Sequence, residues 1–266
     1  MAVAGGIVLA GGRSERMGVP KAALEWHGST LLRRTTGVLA RSVGGPVLVV
    51  RAPGQPLPSL PAGVDVVDDP AEGLGPLQGI AAGLSVAAEL GLTSAFVCAT
   101  DMPFLHPTFV RRVLDALDAP VDIVLPHARG HHQPLAAAYR TTLAPLLADR
   151  VAAGQLRLAA LFDGPVSVLR LDDAALLSDP ALAAADPTLD SMVNVNTPEN
   201  YAAARQRPAP TVTADRRAIR VATLAEAAAA CGRPLDTATG VSLNGARVDP
   251  DGELPLVGGD VVVFRS

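Results

Sequence analysis

The chain has 266 residues, which is long enough for one large domain or two unequal ones. Apolar residues make up 49% of it, and the formal net charge of −4 gives no electrostatic case for binding nucleic acid or an anionic membrane. We expect no membrane span, because no stretch holds roughly 20 uniformly apolar residues, and no signal peptide, because no basic segment precedes the first apolar run. Cys98 and Cys231 have neither metal nor redox spacing, so we expect reduced thiols in a cytoplasmic protein.

Short apolar runs alternate with longer helical patterns through the first two hundred residues. The runs predict buried strands at 6–10, 46–50, 64–67, 94–100 and 121–126. The longer patterns predict helices at 29–43, 77–91 and 106–118. This alternation indicates an α/β fold of three layers, Rossmann-like, with a mostly parallel sheet covered by helices on both faces. Ligands of such sheets bind beyond the carboxyl ends of the strands, so we expect the loops after the strands to carry the chemistry.

The character of the sequence changes after Arg205. A proline-containing polar connection leads into a hairpin pattern, and Thr223 with Glu226 forms a capping box that opens a helix. Asn244-Gly245 then predicts a hairpin turn, and a last apolar run covers 261–264. We therefore predict two domains, residues 1–207 and a small α+β domain at residues 208–266.

The loop after the first strand, LAGGRSERMGVPK at residues 9–21, is neither a P-loop nor a dinucleotide fingerprint. Gly11 and Gly12 allow the backbone to approach a ligand closely and turn its N–H groups inward. Arg13, Arg16 and Lys21 supply positive charge for phosphate oxygens. A tight strand-to-helix turn with solvated arginines is the alternative.

The same stretch closely resembles the signature of the nucleotidyltransferase superfamily. Its Leu-Ala-Gly-Gly form is similar to that of the molybdenum cofactor guanylyltransferases, whereas the related cytidylyltransferases look like Leu-Ala-Ala-Gly. The resemblance covers residues 3 to about 205 and implies catalytic roles for Arg16, Lys21 and Asp101. It implies a GTP site made of Leu9, Ala10, Gly11, Gly12, Lys21, Asp69 and Asp101.

Two acidic positions follow strands. Asp101, at the end of a buried strand in an Asp-x-Pro pattern, is implied by the resemblance to be the Mg²⁺ ligand; helix capping is the alternative. Asp69 precedes Gly-Pro-Leu-x-Gly and could accept hydrogen bonds from the N1–H and exocyclic amine of guanine. Asp68 stays open for that role, as does a simple turn cap. Where the guanylyltransferases commonly place an asparagine, this chain has Arg51, which leaves sugar or base recognition open.

Amide side chains mark the second substrate site. Asn194 and Asn196 stand two apart on an expected strand, so both would face one side, with Thr197 as the following N-cap. The motif resembles the family's Asn-Val-Asn-Thr-Pro-Glu, which implies contact with molybdopterin or with the metal. Local turn hydrogen bonds are the alternative. Gln133, beside His132, is the other implied contact to the pterin substrate.

The reaction implied by the resemblance is transfer of GMP from GTP to Mo-molybdopterin, with Mg²⁺ as cofactor and pyrophosphate as the leaving group. CTP or another nucleotide, or a sugar or alcohol phosphate acceptor, is the nearest alternative. A non-catalytic nucleotide-binding scaffold for cofactor delivery is the other.

The C-terminal domain resembles the β-grasp sulfur carriers of molybdopterin and thiamine synthesis, through VSLNGARV, DGELPLVGGDVVVF and the helix capped by Thr223. Functional carriers end in Gly-Gly, whereas this sequence ends Phe264-Arg265-Ser266 and holds Gly258-Gly259 internally. We expect a docking or dimerisation module that recognises other proteins of the pathway.

Overall fold

Strands and helices alternate through the first two hundred residues, as the periodicity predicts. The computed structural model describes residues 3–11, 20–71, 73–118, 120–236 and 240–265. The strands of this part are β1 (Ala4–Leu9), β2 (Glu25–Trp26), β3 (Ser29–Thr30), β4 (Val47–Arg51), β5 (Val64–Asp68), β6 (Ser94–Ala99), β7 (Ile123–Ala128), β8 (His131–His132), β9 (Ala136–Arg140) and β10 (Val168–Asp172). Its helices are α1 (Leu31–Ala40), α2 (Pro76–Glu89), α3 (Pro107–Asp115), α4 (Ala144–Ala152), α5 (Ala159–Phe162), α6 (Asp173–Leu177), α7 (Pro180–Ala185) and α8 (Pro198–Arg205).

The first sheet is mostly parallel, with the strand order β10-β7-β9-β6-β1-β4-β5 and β8 paired to β7. Only β9 and β8 run antiparallel among its paired strands in the described residues. Helices cover both faces, because consecutive side chains of a strand point to opposite sides. Ile7 and Val8 are both fully buried, and they belong to two different hydrophobic cores, one on each face. The α/β prediction is confirmed.

Helix α2 lies close against β1 because small residues face the strand. Gly75 precedes the helix at φ +79°, a left-handed conformation that favours glycine, and Pro76 takes its first position. A Cβ on Gly83 would lie 2.8 Å from Ile7 Cγ2, so a larger residue would push helix and strand apart. The close approach brings the start of α2 near the carboxyl end of β1.

A second sheet and one helix occupy the C-terminal region, defined here as residues 211–265. Its elements are β11 (Thr211–Ala214), β12 (Arg217–Arg220), α9 (Leu224–Cys231), β13 (Gly240–Leu243), β14 (Ala246–Val248) and β15 (Val261–Arg265). The strand order is β12-β11-β15-β13-β14, with β11 and β15 parallel at the centre. Thr223 caps α9 as expected, but the Glu226 carboxylate returns to the Ala222 N–H, one residue before the cap.

The C-terminal region packs against α1, which is buried over almost its whole length. Arg33 of α1 pairs with Asp251 at 2.7 Å, and Arg41 pairs with Asp260 at 2.8 Å. A Cβ on Gly37 would lie 2.7 Å from Pro255 Cδ, so the two parts are in direct van der Waals contact. Helix α1 is therefore enclosed between the first sheet and the C-terminal region.

Among the described helices, none combines the length and apolar composition that crossing a lipid bilayer requires.

Candidate active site

The ends of β1 and β6 bring Ala10 and Gly11 beside Asp101. These neighbouring strands are parallel, and Leu9 lies in register with Ala99. Thr100 fixes the chain beyond β6, because its N–H and its hydroxyl both donate to the Leu9 carbonyl, at 3.3 and 2.9 Å. Asp101 therefore stands next to Ala10 and Gly11 at the carboxyl edge of the sheet, where a parallel sheet binds ligands.

Three polar side chains distant in sequence meet at this edge. The Lys21 ammonium lies 2.7 Å from Asp101 Oδ2 and donates to Asn196 Oδ1 at 2.6 Å. Asp101 is 7% exposed, whereas the Lys21 side chain keeps 23% of its surface in solvent. The short ³₁₀ turn Lys21–Ala23, which follows Pro20, positions the lysine. The site thus combines a partly solvated cation with a buried anion.

Two buried oxygens accept no hydrogen bond from any residue that the structure describes: Asp101 Oδ1 at the site, and Asn194 Oδ1 in the neighbouring Asn-Val-Asn motif. An orphaned buried acceptor costs free energy unless something outside the chain binds it. Carboxylate and amide oxygens are hard ligands of the kind that Mg²⁺ prefers. The donor set at Asp101 therefore fits a divalent cation.

The two candidate aspartates after β5 have different surroundings. Asp68 is exposed and pairs with Arg51 at 2.7 Å. Asp69 is half-buried, and its carboxylate accepts a hydrogen bond from Gln78 on α2. A Cβ on Gly79 would lie 3.8 Å from Asp69 Oδ2, so this carboxylate faces the start of α2 and the end of β1. Of the two aspartates, Asp69 is therefore the one whose carboxylate lies near the start of α2 and the end of β1.

Gln55 supports the backbone at Ala10, a role that the sequence did not predict. Its side-chain amide donates to the Ala10 carbonyl at 3.0 Å, and its side-chain oxygen accepts from Ala52 N at 3.1 Å. Gly11 lies close by, since a Cβ there would be 3.3 Å from Ala52 N. No local motif marks Gln55, whereas Gln78 falls within the Gly-Pro-Leu-x-Gly pattern.

The asparagine motif has a different backbone from the one expected. Residues 193–196 form no strand; they follow a ³₁₀ turn, Asp190–Met192, as an irregular segment. Val195 N donates to the Asp101 carbonyl at 3.0 Å, and this bond holds the motif against the segment that carries Asp101. The strand prediction is wrong, because the motif makes this single backbone hydrogen bond instead of the series of bonds that pairs two strands. Thr197 does cap α8, accepting from Asn200 N.

Gln133 lies at the same edge of the sheet, in the turn between β8 and β9. Its backbone N–H donates to the Pro126 carbonyl at 2.8 Å, and its side chain is half-buried. His132 is exposed and packs its ring 4.6 Å from that of His127, with its pKa lowered by partial burial and by that neighbour. Gln133 and His132 therefore lie at this edge of the sheet but have no hydrogen bond to Lys21, Asp101 or Asn196 within the described residues. Gly12, Arg13 and Arg16 lie outside the described residues.

Comparison with known proteins identifies the family. The family model of the MobA-like NTP transferase domain matches residues 6–170, which stops short of the C-terminal region. A protein of Mycobacterium bovis (strain BCG / Pasteur 1173P2), named "Probable molybdenum cofactor guanylyltransferase", is 45% identical over 162 residues, covering 59% of this chain and 78% of the relative. A protein of the same name from Mycobacterium avium (strain 104) is 43% identical over 162 residues, 59% of this chain and 80% of the relative.

Solved structures share the fold. The molybdopterin-guanine dinucleotide biosynthesis protein A of Archaeoglobus fulgidus superposes with a TM-score of 0.60 at 21% identity, covering 76% of this chain and 97% of that one. The 2-C-methyl-D-erythritol 4-phosphate cytidylyltransferase of Thermus thermophilus gives 0.52 at 20% identity, covering 77% and 98%. At such identities the likeness concerns the fold alone. The family match and the curated relatives together show that this chain is a nucleotidyltransferase of the MobA-like NTP transferase family.

Proposed function

We propose that this protein transfers GMP from GTP to Mo-molybdopterin, giving molybdopterin guanine dinucleotide and pyrophosphate with the help of Mg²⁺. The observation that carries the proposal is the meeting of Lys21, Asp101 and Asn196 beside Ala10 and Gly11. The guanylyltransferase names of the relatives, at 45% and 43% identity, support the choice of reaction.

The acceptor needs no general base. A phosphate monoester has a second pKa of about 6, so it is largely dianionic at neutral pH. Attack on the α-phosphorus of GTP forms the new P–O bond while the bond to the pyrophosphate oxygen breaks, and pyrophosphate leaves with that electron pair. The obstacle is the approach of two polyanions, so positioning and charge neutralisation dominate the catalysis.

Individual residues divide that work. Backbone groups of Leu9 to Gly12 would line the triphosphate, and Lys21, together with Arg16, would stabilise the charge that develops toward pyrophosphate. Asp101 would hold the Mg²⁺, which supplies Lewis-acid neutralisation of phosphate oxygens when it is bound. Within the described ranges no three His, Cys, Asp or Glu side chains gather to hold a metal. A cation on Asp101 would therefore rely on phosphate and water for further ligands, as Mg²⁺ commonly does.

Substrate selection falls to the flanking groups. Asp69 would accept from the guanine N1–H and exocyclic amine, supported by the hydrogen bond that Gln78 already donates to it. Asp68 is occupied by Arg51, which makes it the weaker candidate. Asn194, Asn196 and Gln133 would contact the molybdopterin.

We also propose that residues 208–266 form a β-grasp domain that acts as a docking or dimerisation module. Residues 206–210 connect α8 to β11 without regular structure, which supports a boundary near 208. Gly258-Gly259 lies in the turn before β15, and the Gly258 carbonyl is hydrogen-bonded to His106. Other proteins of the pathway are its proposed partners, and the two free cysteines suit a cytoplasmic location.

The deciding experiment incubates the full chain with Mo-molybdopterin, Mg²⁺ and each of the four nucleoside triphosphates, and identifies products by mass spectrometry. The proposal expects a guanine dinucleotide and pyrophosphate with GTP alone, and no product from an Asp101→Asn variant. A molybdopterin cytosine dinucleotide product would instead assign cytidylyltransferase activity to the chain. Nucleotide binding without any product would favour the delivery scaffold.

A further inference from the structure

The segment that carries the catalytic carboxylate, residues 100–106, is defined here as the Asp101 loop. Its first half is held by the first sheet and its neighbours: Thr35 Oγ1 donates to the Thr100 carbonyl at 3.2 Å, and Val195 N donates to the Asp101 carbonyl at 3.0 Å. Its second half, from Pro103 to His106, leaves the sheet and runs toward the C-terminal region.

A buried guanidinium reaches this second half from α1. Arg34 is 6% exposed, and its Nε donates to the Pro103 carbonyl while one terminal nitrogen donates to the Leu256 carbonyl at 3.4 Å. Burial lowers the pKa of Arg34 to about 10, with a further contribution from the charge of Arg41. None of the ion pairs found in the described residues involves Arg34, so its direct partners are carbonyl oxygens, and the charge of Asp260 compensates the cation only at longer range.

That arrangement is costly for a residue with a purely space-filling role. Burying a charge without a direct ion pair is unfavourable, and an apolar side chain of similar length would fill the same volume without that cost. The guanidinium donates hydrogen bonds to one carbonyl of the Asp101 loop and one carbonyl of the C-terminal region at the same time. An apolar side chain could not make these bonds.

His106 makes the second connection, at the far end of the loop. Its Nδ1 accepts from Thr108 N as the N-cap of α3, so in the neutral ring Nε2 carries the proton and donates to the Gly258 carbonyl at 3.1 Å. Burial lowers the pKa of His106, which favours this neutral form. The backbone N–H of His106 donates to Ser191 Oγ at 3.1 Å.

Packing alone gives this half of the loop incomplete support. A cavity of about 260 Å³ lies between the first part of the chain and the C-terminal region. Its lining includes Phe104, Arg34, His106 and Gly258. Phe104 packs its ring 5.6 Å from that of Trp26 and lies under the Arg207 guanidinium, 4.5 Å from the ring centroid. The hydrogen bonds of Arg34 and His106 add to these contacts on the side of the loop that faces the C-terminal region.

We propose that the turn at residues 255–260 of the C-terminal region braces the Asp101 loop through Arg34 and His106. Both are then positioning residues for the metal-binding carboxylate, and the C-terminal region is a structural part of the nucleotidyl-transfer site. The inference rests on the proposed function for the role of Asp101.

Helix α1 offers a matched control. Arg33 also connects α1 to the C-terminal region, through Asp251, which lies outside the bracing turn. Arg33→Met therefore weakens the same junction while leaving the turn at residues 255–260 and the loop in place. Arg41 is unsuitable as a control, because its partner Asp260 belongs to that turn and accepts from Val257 N. Arg34→Met removes the connection to the loop, and Arg34→Lys retains the charge with a single point of attachment.

His106→Asn is the independent variant, should Arg34→Met not fold. Asparagine is a good N-cap and can replace Nδ1 as the acceptor, but it is too short to reach Gly258. Each full-length variant is titrated with Mn²⁺, with and without GTP, and free Mn²⁺ is measured by electron paramagnetic resonance. Melting temperature, kcat and the KM for GTP are measured in parallel.

The brace predicts that Arg34→Met and His106→Asn weaken Mn²⁺ binding about tenfold, as losses of outer supporting contacts commonly do. Their kcat falls, the KM for GTP changes little, and Arg34→Lys recovers part of the loss. Arg33→Met lowers only the melting temperature. Unchanged Mn²⁺ binding in folded Arg34→Met and His106→Asn overturns the inference, as does an equal loss in the Arg33→Met control.

Failure of the proposed function is recognised separately. If the wild-type chain forms no guanine dinucleotide, the Mn²⁺ titrations still decide whether the brace positions Asp101. If it forms the product and the brace variants behave like wild type, only the brace is refuted.

Discussion

Asp101→Asn tests the site most directly, because it changes one oxygen and leaves the shape of the side chain. The neutral amide carries no charge to pair with the Lys21 ammonium, so the 2.7 Å ion pair is lost. Lys21 retains Asn196 at 2.6 Å and can be solvated further. A partly exposed pair contributes about 1 kcal/mol. A neutral amide also removes the cost of burying the carboxylate charge, which offsets that loss.

The free enzyme should therefore melt close to wild type, whereas the liganded forms should differ. A ligand at one hundred times its Kd stabilises the native state by about 2.7 kcal/mol. For a chain of this size 1 kcal/mol moves the melting temperature by about 2–4 °C, so GTP with Mn²⁺ should raise that of wild type by roughly 5–10 °C. Asp101→Asn should show a small part of this rise.

The assay combines thermal melting, with and without GTP and Mn²⁺, with a coupled measurement of pyrophosphate release. Removal of one group that stabilises transition-state charge lowers rates by about 10²–10³-fold, and we expect at least that loss. A variant that releases pyrophosphate at the wild-type rate and gains the same thermal shift would refute the assignment of Asp101 as the metal ligand.

Three further predictions concern individual side chains. Lys21→Met should lower the single-turnover rate more than it weakens GTP affinity, and equal losses in both would reduce the lysine to a binding group. Asp69→Asn should erode the preference for GTP over ATP and CTP in competition binding, whereas Asp68→Asn should not; a reversed result would exchange their roles. Because burial holds the pKa of His106 below 6.5, the unfolded chain binds more protons as the pH drops below that value. Stability, fully present above it, should then be lost with falling pH. Urea melts from about pH 5 to 8 should show a shallower loss in His106→Asn, and identical slopes would contradict the assignment.

Periodicity alone predicts five strands of the first sheet, β1, β4, β5, β6 and β7, because each contains a short apolar run bounded by turn residues. Strand β9 was not predicted, because the run Ala136–Arg140 is rich in alanine, which has a low strand propensity. It nevertheless pairs with both β6 and β7. Its antiparallel direction follows from the β8 turn, which no local signal specifies.

The candidate site was predictable where one segment carries its own motif. The loop after β1, the carboxylate after β6 and the Asn-Val-Asn-Thr motif could each be selected from sequence. The distinction between Asp68 and Asp69 could not, because it depends on which carboxylate Arg51 engages across neighbouring strands. Arg34 likewise reads as an ordinary residue of an amphipathic helix, and its role depends on a carbonyl 222 positions later in the chain.

The enclosure of α1 bears on how the chain emerges from the ribosome. Synthesis runs from the N-terminus, and domains generally fold as units in that order. When residues before 209 have folded, the face of α1 that later meets the C-terminal region is still open to water. Arg33, Arg34 and Arg41 supply that face with charge during the interval. Leucines at these positions would bury more apolar surface once the C-terminal region has folded. Until then, they would leave an exposed apolar surface on which neighbouring nascent chains could aggregate.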